Sequence, residues 1–124
     1  MDPKLLSGGD LAFIGDAYYE LAIRDHVIKK DITSLYKLHD EAVKYVSRAA
    51  QYKIINAIMD DLNEEEKDIF RRGRNYNYKT KTQEYIYASG FEAVIGYLYL
   101  LGRMDRLDKI LKMAIMVIEK EEHE

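Results

Sequence analysis

One segment constrains the fold of this chain more than any other, because it is apolar on nearly every side. The pattern from Gln83 to Leu101 predicts a helix that Gly102 ends, and Glu92 is the only charged residue between Tyr85 and Gly102. A helix of this kind usually lies at the centre of a bundle or at an interface. A chain of 124 residues can hardly surround such a helix by itself. We therefore expect a second copy to cover part of it in a homodimer.

The rest of the chain is also patterned for helices. Proline occurs once and glycine 7 times, and no segment alternates polar and apolar residues over a useful length. Asn63 followed by three glutamates is a strong helix start, and Ser47 could cap a break within a longer helical pattern. The other predicted helices lie at about 9–29, 35–62, 64–73 and 104–120. We expect an all-α fold in a single domain over residues 1–124.

Composition excludes several classes of protein. Cysteine is absent, which rules out disulfides and cysteine-based metal sites and suits a reducing compartment. The apolar run from Ala93 to Leu101 is too short to span a bilayer, and the first residues lack the basic start and apolar core of a signal peptide. We expect a cytoplasmic protein with no membrane partner. The net charge of −3 disfavours a chain that simply coats nucleic acid, although a local basic surface is compatible with it.

Two acidic residues stand alone in the two most apolar helical stretches. Asp16 lies in "LAFIGDAYYE" and Glu92 in "GFEAVIGYLYL", and glycine and alanine flank both. Small flanking residues let helices approach closely, so the two acids could face each other across a helix–helix contact. Two buried carboxylates repel each other unless a cation lies between them, and Mg²⁺ is often held by only one or two carboxylates. The spacing is equally compatible with acids that cap helices or pair with lysine or arginine.

Three further residues are weaker candidates. Glu20 lies one helical turn after Asp16 and could contact a hydrated metal, but an ion pair with Arg24 is the favoured interpretation. His39 could be a catalytic base, although a lone histidine in a helix is more often structural. Asp10 lies six residues before Asp16 and is the third.

Residues 70–85, "FRRGRNYNYKTKTQEY", form a basic segment in an otherwise acidic chain. Arginine and lysine contact nucleic-acid phosphates, asparagine adds hydrogen bonds, and tyrosine can pack on sugars. The alternative is a solvated loop whose arginines pair with the acids of residues 63–68. A phosphate-binding loop next to the helix of Glu92 suits a nuclease. The predicted contacts to the nucleic acid are Arg71, Arg72, Arg74, Asn75, Lys79, Lys81 and Tyr85.

These motifs together resemble a known family. "FIGDA", residues 13–17, resembles the "FLGDA" signature of the ribonuclease III catalytic domain, and "GFEAVIGYLYL", residues 90–100, resembles its second signature. The "RRGRN" stretch, the short length and the lack of an appended RNA-binding domain are most similar to the Mini-III branch. The resemblance implies an all-α homodimer that cleaves double-stranded RNA with Mg²⁺, or with Mn²⁺ in its place. It also implies that Asp16 and Glu92 are the catalytic metal ligands.

The resemblance carries further expectations about substrate and products. It implies maturation of the bacterial large-subunit ribosomal RNA precursor, with staggered cuts that leave a 5′ phosphate and a 3′ hydroxyl. Whether a ribosomal protein presents this substrate stays open. This chain has fewer acidic residues at the site than the fuller family pattern, because Gly9, Ala12 and Ser89 stand where that pattern has acids. Asp10 is out of register by one and could partly substitute for the first of them.

The sequence also leaves two alternative functions open. The thin acid set favours a non-catalytic helical dimer that binds structured RNA. The third hypothesis is a helical nucleotide pyrophosphohydrolase, which needs paired acids three residues apart on facing helices. Asp61 and Glu64 have that spacing, but they straddle a predicted helix boundary and leave the basic segment unexplained.

Overall fold

The computed structural model describes residues 1–123, and over those residues it is built from helices without any strand. This confirms the expected all-α fold. No helix in the described part is long and apolar enough to cross a membrane. The helices are α1 (Gly8–Ile28), α2 (Leu35–Val46), α3 (Arg48–Ile58), α4 (Glu64–Arg74), α5 (Gln83–Leu100) and α6 (Met104–Glu122). Two short 3₁₀ turns are Pro3–Leu5 and Met59–Asp61.

Short polar side chains begin most of these helices. In five of them the N-cap oxygen accepts a hydrogen bond from the amide of the third helical residue, which satisfies a backbone donor that has no partner within the helix. Ser47 ends α2 and begins α3, so the helical pattern over 35–62 is divided there. Asn63 and Glu66 form a reciprocal capping box at the start of α4. The five N-caps are Ser7, Ser34, Ser47, Asn63 and Thr82.

Helix α5 lies at the centre of the fold, with α1, α3, α4 and α6 packed around it. Every residue from Ala88 to Leu98 is buried within one copy of the chain. The expectation that a partner must cover this helix is therefore wrong. The single chain is sufficient because its neighbouring helices approach α5 at backbone distance, which leaves little surface open.

Two glycines create the closest of these contacts, between α1 and α5. A Cβ atom on Gly15 would lie 1.7 Å from the backbone oxygen of Glu92, and one on Gly96 would lie 2.0 Å from the backbone oxygen of Leu11. Any side chain at either position would force the helices apart. Asp16 follows Gly15 directly, so this contact sets its distance from Glu92.

Large apolar side chains on the outer side of α1 and α2 remain open to solvent. Successive members on each helix lie seven or eight positions apart, except for the adjacent Leu35 and Tyr36, which places them on one side of each helix. We call this surface the apolar face. Its members and their exposed fractions are Phe13 (82%), Leu21 (66%), Ile28 (62%), Leu35 (72%), Tyr36 (76%) and Val43 (54%).

Candidate active site

A surface pocket between α1, α3, α5 and the connection before α5 holds both lone acids. The predicted meeting of Asp16 and Glu92 across a helix–helix contact is therefore confirmed. The site exists because the glycine contact described above brings α1 and α5 together at this level. The pocket is lined by Gly9, Ala12, Phe13, Asp16, Arg48, Tyr78, Tyr85, Ser89 and Glu92.

The two acids differ in their surroundings. Glu92 is buried, with 3% of its surface exposed, whereas Asp16 is exposed. The expectation of two buried carboxylates is thus wrong for Asp16. The reason is helical geometry, because Gly15 takes the contact position against α5 and the next residue is turned about 100° away, toward the mouth of the pocket. The Glu92 carboxylate is therefore shielded from water, whereas the Asp16 carboxylate is accessible to it.

Burial has a clear electrostatic effect on Glu92. Desolvation, together with the neighbouring Asp16, raises the pKa of the Glu92 carboxyl to about 8, although the Arg48 guanidinium opposes the shift. A negative charge at this position is thus costly unless a cation compensates for it. A bound cation would lower this electrostatic cost.

Helix α3 supplies the donors that contact Glu92. The Arg48 Nη1 atom donates to Glu92 Oε1 at 3.0 Å, and the Gln51 Nε2 atom donates to Glu92 Oε2 at 3.4 Å. Gln51 also donates to the backbone oxygen of Val46 at 2.9 Å. Its Oε1 atom is buried and accepts no hydrogen bond from any described residue. A buried acceptor without a donor is uncommon in folded proteins and marks this cluster as incomplete.

The donor set fits a hard divalent cation. Asp16 and Glu92 offer carboxylate oxygens to the pocket, whereas Gln51, which contacts Glu92 through its amide nitrogen, does not line it. Within residues 1–123, no group of three or more histidine and acidic side chains forms a ready-made metal cage. Mg²⁺ suits such a sparse set, because it keeps several waters and binds protein through one or two carboxylates. Asp16 and Glu92 are the residues that would hold it.

A row of tyrosines ties the connection before α5 to the mouth of the pocket. The rings of Tyr76 and Tyr78 lie 5.0 Å apart between centroids, and those of Tyr78 and Tyr85 lie 5.4 Å apart. The Arg48 guanidinium stacks on Tyr85 with 4.6 Å from its carbon to the ring centroid. The Tyr78 hydroxyl donates to the backbone oxygen of Gly73 at 2.8 Å. The row therefore fixes the basic segment beside the acids.

The positions that lack the family's acids do lie at the site. Gly9, Ala12 and Ser89 all line the pocket, but they present no metal ligand to it. The ring of Tyr76 fills the space beside Gly9, where a Cβ atom would lie 2.7 Å from it. The hydroxyl of Ser89 donates to a backbone carbonyl of its own helix at 2.9 Å. Asp10 is exposed and does not line the pocket, so it does not replace the missing acid.

The three arginines of the basic segment lie on α4, which extends to Arg74 and so further than the sequence predicted. Arg71 pairs with Asp68, which confirms the alternative interpretation for this one residue. Arg72 donates to the backbone oxygen of Leu6, and its side chain stays exposed. Arg74 donates to the side-chain oxygen of Asn75 and stacks over the ring of Phe70, and none of the three arginines lines the acid pocket.

The other residues predicted to contact RNA come after α4 in the sequence. Asn75, Lys79 and Lys81 are exposed in the connection between α4 and α5. Tyr85, in the first turn of α5, is the one predicted contact residue that also lines the acid pocket. Contact of these residues with RNA stays a prediction.

The weaker candidates lie elsewhere. Glu20 pairs with Arg24 at 3.4 Å, which confirms the favoured interpretation. His39 is exposed and lines a separate pocket between α1 and α2, so it does not meet the acids. Asp61 ends a 3₁₀ turn and Glu64 begins α4, so the helix boundary falls between them as predicted. This arrangement does not fit the signature of a pyrophosphohydrolase.

Sequence reasoning missed the two side chains of α3 that contact Glu92. Arg48 and Gln51 are three residues apart and so lie on the same side of their helix. The available signal was the position of Gln51, which precedes the buried Ile55 and Ile58 at helical spacing. A polar residue within a buried stripe indicates a polar partner inside the core.

Comparisons with known proteins agree with this fold. The ribonuclease III domain family matches residues 9–103. A Mini-ribonuclease 3 of Thermoanaerobacter sp. (strain X514) is 49% identical over 115 residues, covering 89% of this chain and 81% of that relative. A Mini-ribonuclease 3 of Streptococcus pneumoniae (strain ATCC BAA-255 / R6) is 41% identical over 126 residues, covering 96% of this chain and 98% of the relative. A crystal structure of a protein from Fusobacterium nucleatum superposes with a TM-score of 0.81 at 32% identity, covering 92% of this chain and 95% of that one.

The chain therefore belongs to the ribonuclease III family and is an endoribonuclease that acts on RNA. Its relatives place it in the Mini-ribonuclease 3 branch of that family. The two signature segments that carry the resemblance are the same two that build the acid pocket.

Proposed function

We propose that this endoribonuclease depends on Mg²⁺, cleaves double-stranded RNA, and uses Asp16 and Glu92 as its catalytic metal ligands. The observation that carries the proposal is the pair of facing carboxylates, one buried and one exposed, in a pocket that the basic segment borders. Mn²⁺ substitutes for Mg²⁺ in this proposal, because both ions accept carboxylate and water oxygens.

The chemistry divides between the ion and the chain. When bound, the ion stabilises the charge that develops on a phosphodiester and lowers the pKa of water. Glu92 and Asp16 bind the ion, and binding replaces the proton that burial favours on Glu92. Tyr78 and Tyr85 line the pocket, so an entering phosphate would pass beside them. Glu92 needs no large movement, because α5 holds it in the core.

The basic segment is proposed to hold the RNA backbone. Arg71, Arg72, Arg74, Lys79 and Lys81 supply positive charge, while Asn75 and Tyr85 supply hydrogen bonds. A-form RNA is recognised mainly through its shape and through phosphate and 2′-hydroxyl contacts across the minor groove. We therefore expect limited sequence specificity from these residues.

The natural substrate is proposed from the resemblance to the Mini-III branch. It is the precursor of bacterial large-subunit ribosomal RNA, which places the reaction in the cytoplasm. A ribosomal protein that presents this RNA would raise the rate on the precursor without changing the rate on a plain duplex. Residues 1–124 act as a single catalytic domain in this proposal.

We further propose that two copies of the chain pair through the apolar face of α1 and α2. Six large apolar side chains, each more than half exposed, form this surface. An exposed apolar patch of this kind is typical of protein–protein contact sites. The homodimer expected from the sequence thus uses a different surface, because α5 is already covered within one chain. Two sites in such a dimer would cut both strands of a duplex.

The test compares cleavage of a labelled RNA duplex by the native chain, Asp16→Asn and Glu92→Gln in Mg²⁺. Each substitution removes one charge at nearly constant volume. We expect both variants to bind the duplex and to cut it at least about 100-fold more slowly, since even outer-shell partners of metal ligands contribute 10–100-fold. Asp108→Asn is the matched control, because Asp108 is an exposed acid that pairs with Lys112 away from the pocket.

Different outcomes separate the alternatives. A native chain that binds duplex RNA without cutting it in Mg²⁺ or Mn²⁺ would be a binding module, and Asp16 and Glu92 would be structural residues. Hydrolysis of free nucleoside triphosphates without duplex cleavage would favour the pyrophosphohydrolase hypothesis. Cleavage that survives both substitutions would contradict the metal-ligand assignment.

A further inference from the structure

The two donors that contact Glu92 differ in how freely they can leave it. Gln51 is 2% exposed, and its amide is fixed by the Val46 carbonyl. The side chain of Arg48 is 41% exposed and reaches Glu92 from the pocket mouth. Gln51 thus contacts the carboxylate from the buried side and Arg48 contacts it from the exposed side.

Arg48 also has a second contact that does not depend on Glu92. Its guanidinium stacks on the ring of Tyr85, which belongs to the tyrosine row at the edge of the basic segment. A guanidinium can keep such a stacking contact while its N–H groups turn toward a different acceptor. The side chain is therefore able to exchange one anionic partner for another without leaving the pocket mouth.

The contact between Arg48 and Glu92 conflicts with metal binding. The Arg48 Nη1 atom occupies Glu92 Oε1 at 3.0 Å, and this is one of two oxygens that the carboxylate can offer to an ion. An ion there would displace a charge-assisted hydrogen bond and would repel the guanidinium at short range. Arg48 and the ion therefore compete for the same ligand.

We propose that Arg48 is a positioning residue that blocks the metal site while RNA is absent and opens it when an RNA phosphate binds its guanidinium. This inference rests on the proposed function, because it assigns the ligand to Glu92 and the phosphate to RNA. Guanidinium and phosphate form strong bidentate hydrogen bonds, so an incoming phosphate can draw Arg48 away from Glu92. By linkage, RNA then strengthens metal binding and the metal strengthens RNA binding by the same factor.

A purely structural role for Arg48 predicts the opposite result for metal affinity. If Arg48 served only to orient Glu92 for the ion, its removal would weaken metal binding. If Arg48 competes with the ion, its removal strengthens metal binding in the absence of RNA. Gln51 makes the second result expected, because it continues to hold the other carboxylate oxygen. The sign of the change thus separates the two roles.

The experiment measures Mn²⁺ binding to the RNA-free native chain and to Arg48→Met by electron paramagnetic resonance at one fixed pH. Methionine keeps an unbranched stem and removes the guanidinium. We expect Arg48→Met to bind Mn²⁺ about tenfold more tightly, within the usual range of couplings between ligands. The same variant should bind duplex RNA more weakly in metal-free buffer and cleave it more slowly. Lys53→Met, on the same helix, is the matched loss of one positive charge and should change none of these values.

Arg48→Gln provides a second test with the same expectation, in case Arg48→Met does not fold as judged by its helical circular dichroism. Equal or weaker Mn²⁺ binding by the folded variants would overturn the inference, and so would undetectable Mn²⁺ binding in every chain. A native chain that fails to cleave duplex RNA would overturn the proposed function instead. The Mn²⁺ affinities are measured without RNA and without turnover, so the two failures are distinguishable.

Discussion

Replacing Gly15 with alanine would push apart the two helices that carry the paired acids. The new Cβ atom would lie 1.7 Å from the backbone oxygen of Glu92, whereas carbon atoms in contact are about 3.5 Å from their neighbours. The obstructing atoms, in the carbonyl of Glu92 and the amide of Gly96, belong to the backbone of α5, so no side-chain rotation relieves the clash. We expect α1 to move away from α5 by about 1–2 Å, which is the shortfall between those distances.

The displacement has two measurable consequences. Overpacking a core contact costs about 1–3 kcal/mol, and a backbone obstruction belongs at the upper end of that range. A loss of about 3 kcal/mol lowers the melting temperature of a chain this size by about 10 °C. Misplacement of a catalytic group by about 1 Å can cost about 100-fold in rate. Asp16 moves with α1, so cleavage should fall by about that factor even where Gly15→Ala is fully folded.

The assay combines thermal unfolding at a fixed protein concentration with duplex cleavage well below the transition. Gly102→Ala is the control, because its φ of 72° disfavours alanine while a Cβ there meets nothing within 4 Å. It should cost about 1–2 kcal/mol, the penalty of a left-handed residue, and leave the cleavage rate of the folded protein unchanged. A Gly15→Ala chain with native stability and native cleavage would refute the close contact between α1 and α5.

Three further predictions concern acid stability, assembly and salt. Although burial opposes the shift, Arg106 and the Asn63 amide hold the pKa of the Glu66 carboxyl below its usual value. Stability from this group is therefore present at neutral pH and lost as the pH falls through the lowered pKa. Urea unfolding at neutral pH should show that Glu66→Gln lowers the free energy of unfolding by about 2 kcal/mol. This is less than for a fully buried ion pair, because Arg106 is partly exposed. On acidification the variant should lose less stability than the native chain. Leu21→Asp, on the apolar face, should convert a dimer into a folded monomer in light scattering; an unchanged mass would exclude this face. Affinity for duplex RNA should fall steeply with salt, and Lys79→Met should reduce the slope of log affinity against log salt by about one; a flat response in the native chain would contradict phosphate contacts.

Local signals in the sequence predicted most of the fold. Helix positions followed from apolar spacing, and their starts followed from cap residues such as Ser47 and Asn63. The meeting of Asp16 and Glu92 was predictable because each acid is isolated in an apolar stretch next to small residues. The signals used here are local, since each is read from residues within about one or two helical turns.

Other features depend on contacts that no local pattern encodes. The coverage of α5 by one chain follows from backbone contacts at Gly15 and Gly96, which hydrophobicity alone does not reveal. The exposure of Asp16 depends on which of two adjacent residues faces α5. Arg48 and Gln51 reach Glu92 across 44 and 41 residues of sequence. Such pairings become visible only when the helices are packed together.

The burial of α5 also determines how this site responds to local opening of the protein. Amides in fully packed helices exchange their hydrogen only when the whole domain unfolds, whereas exposed connections exchange through small fluctuations. Residues 88–98, including Glu92, belong to the first class, and the exposed residues between α4 and α5 belong to the second. Glu92 thus lies in the unit that opens last, while the connection that we propose to contact RNA is open to solvent. An RNA duplex can therefore approach and leave without disturbing the helix that holds Glu92.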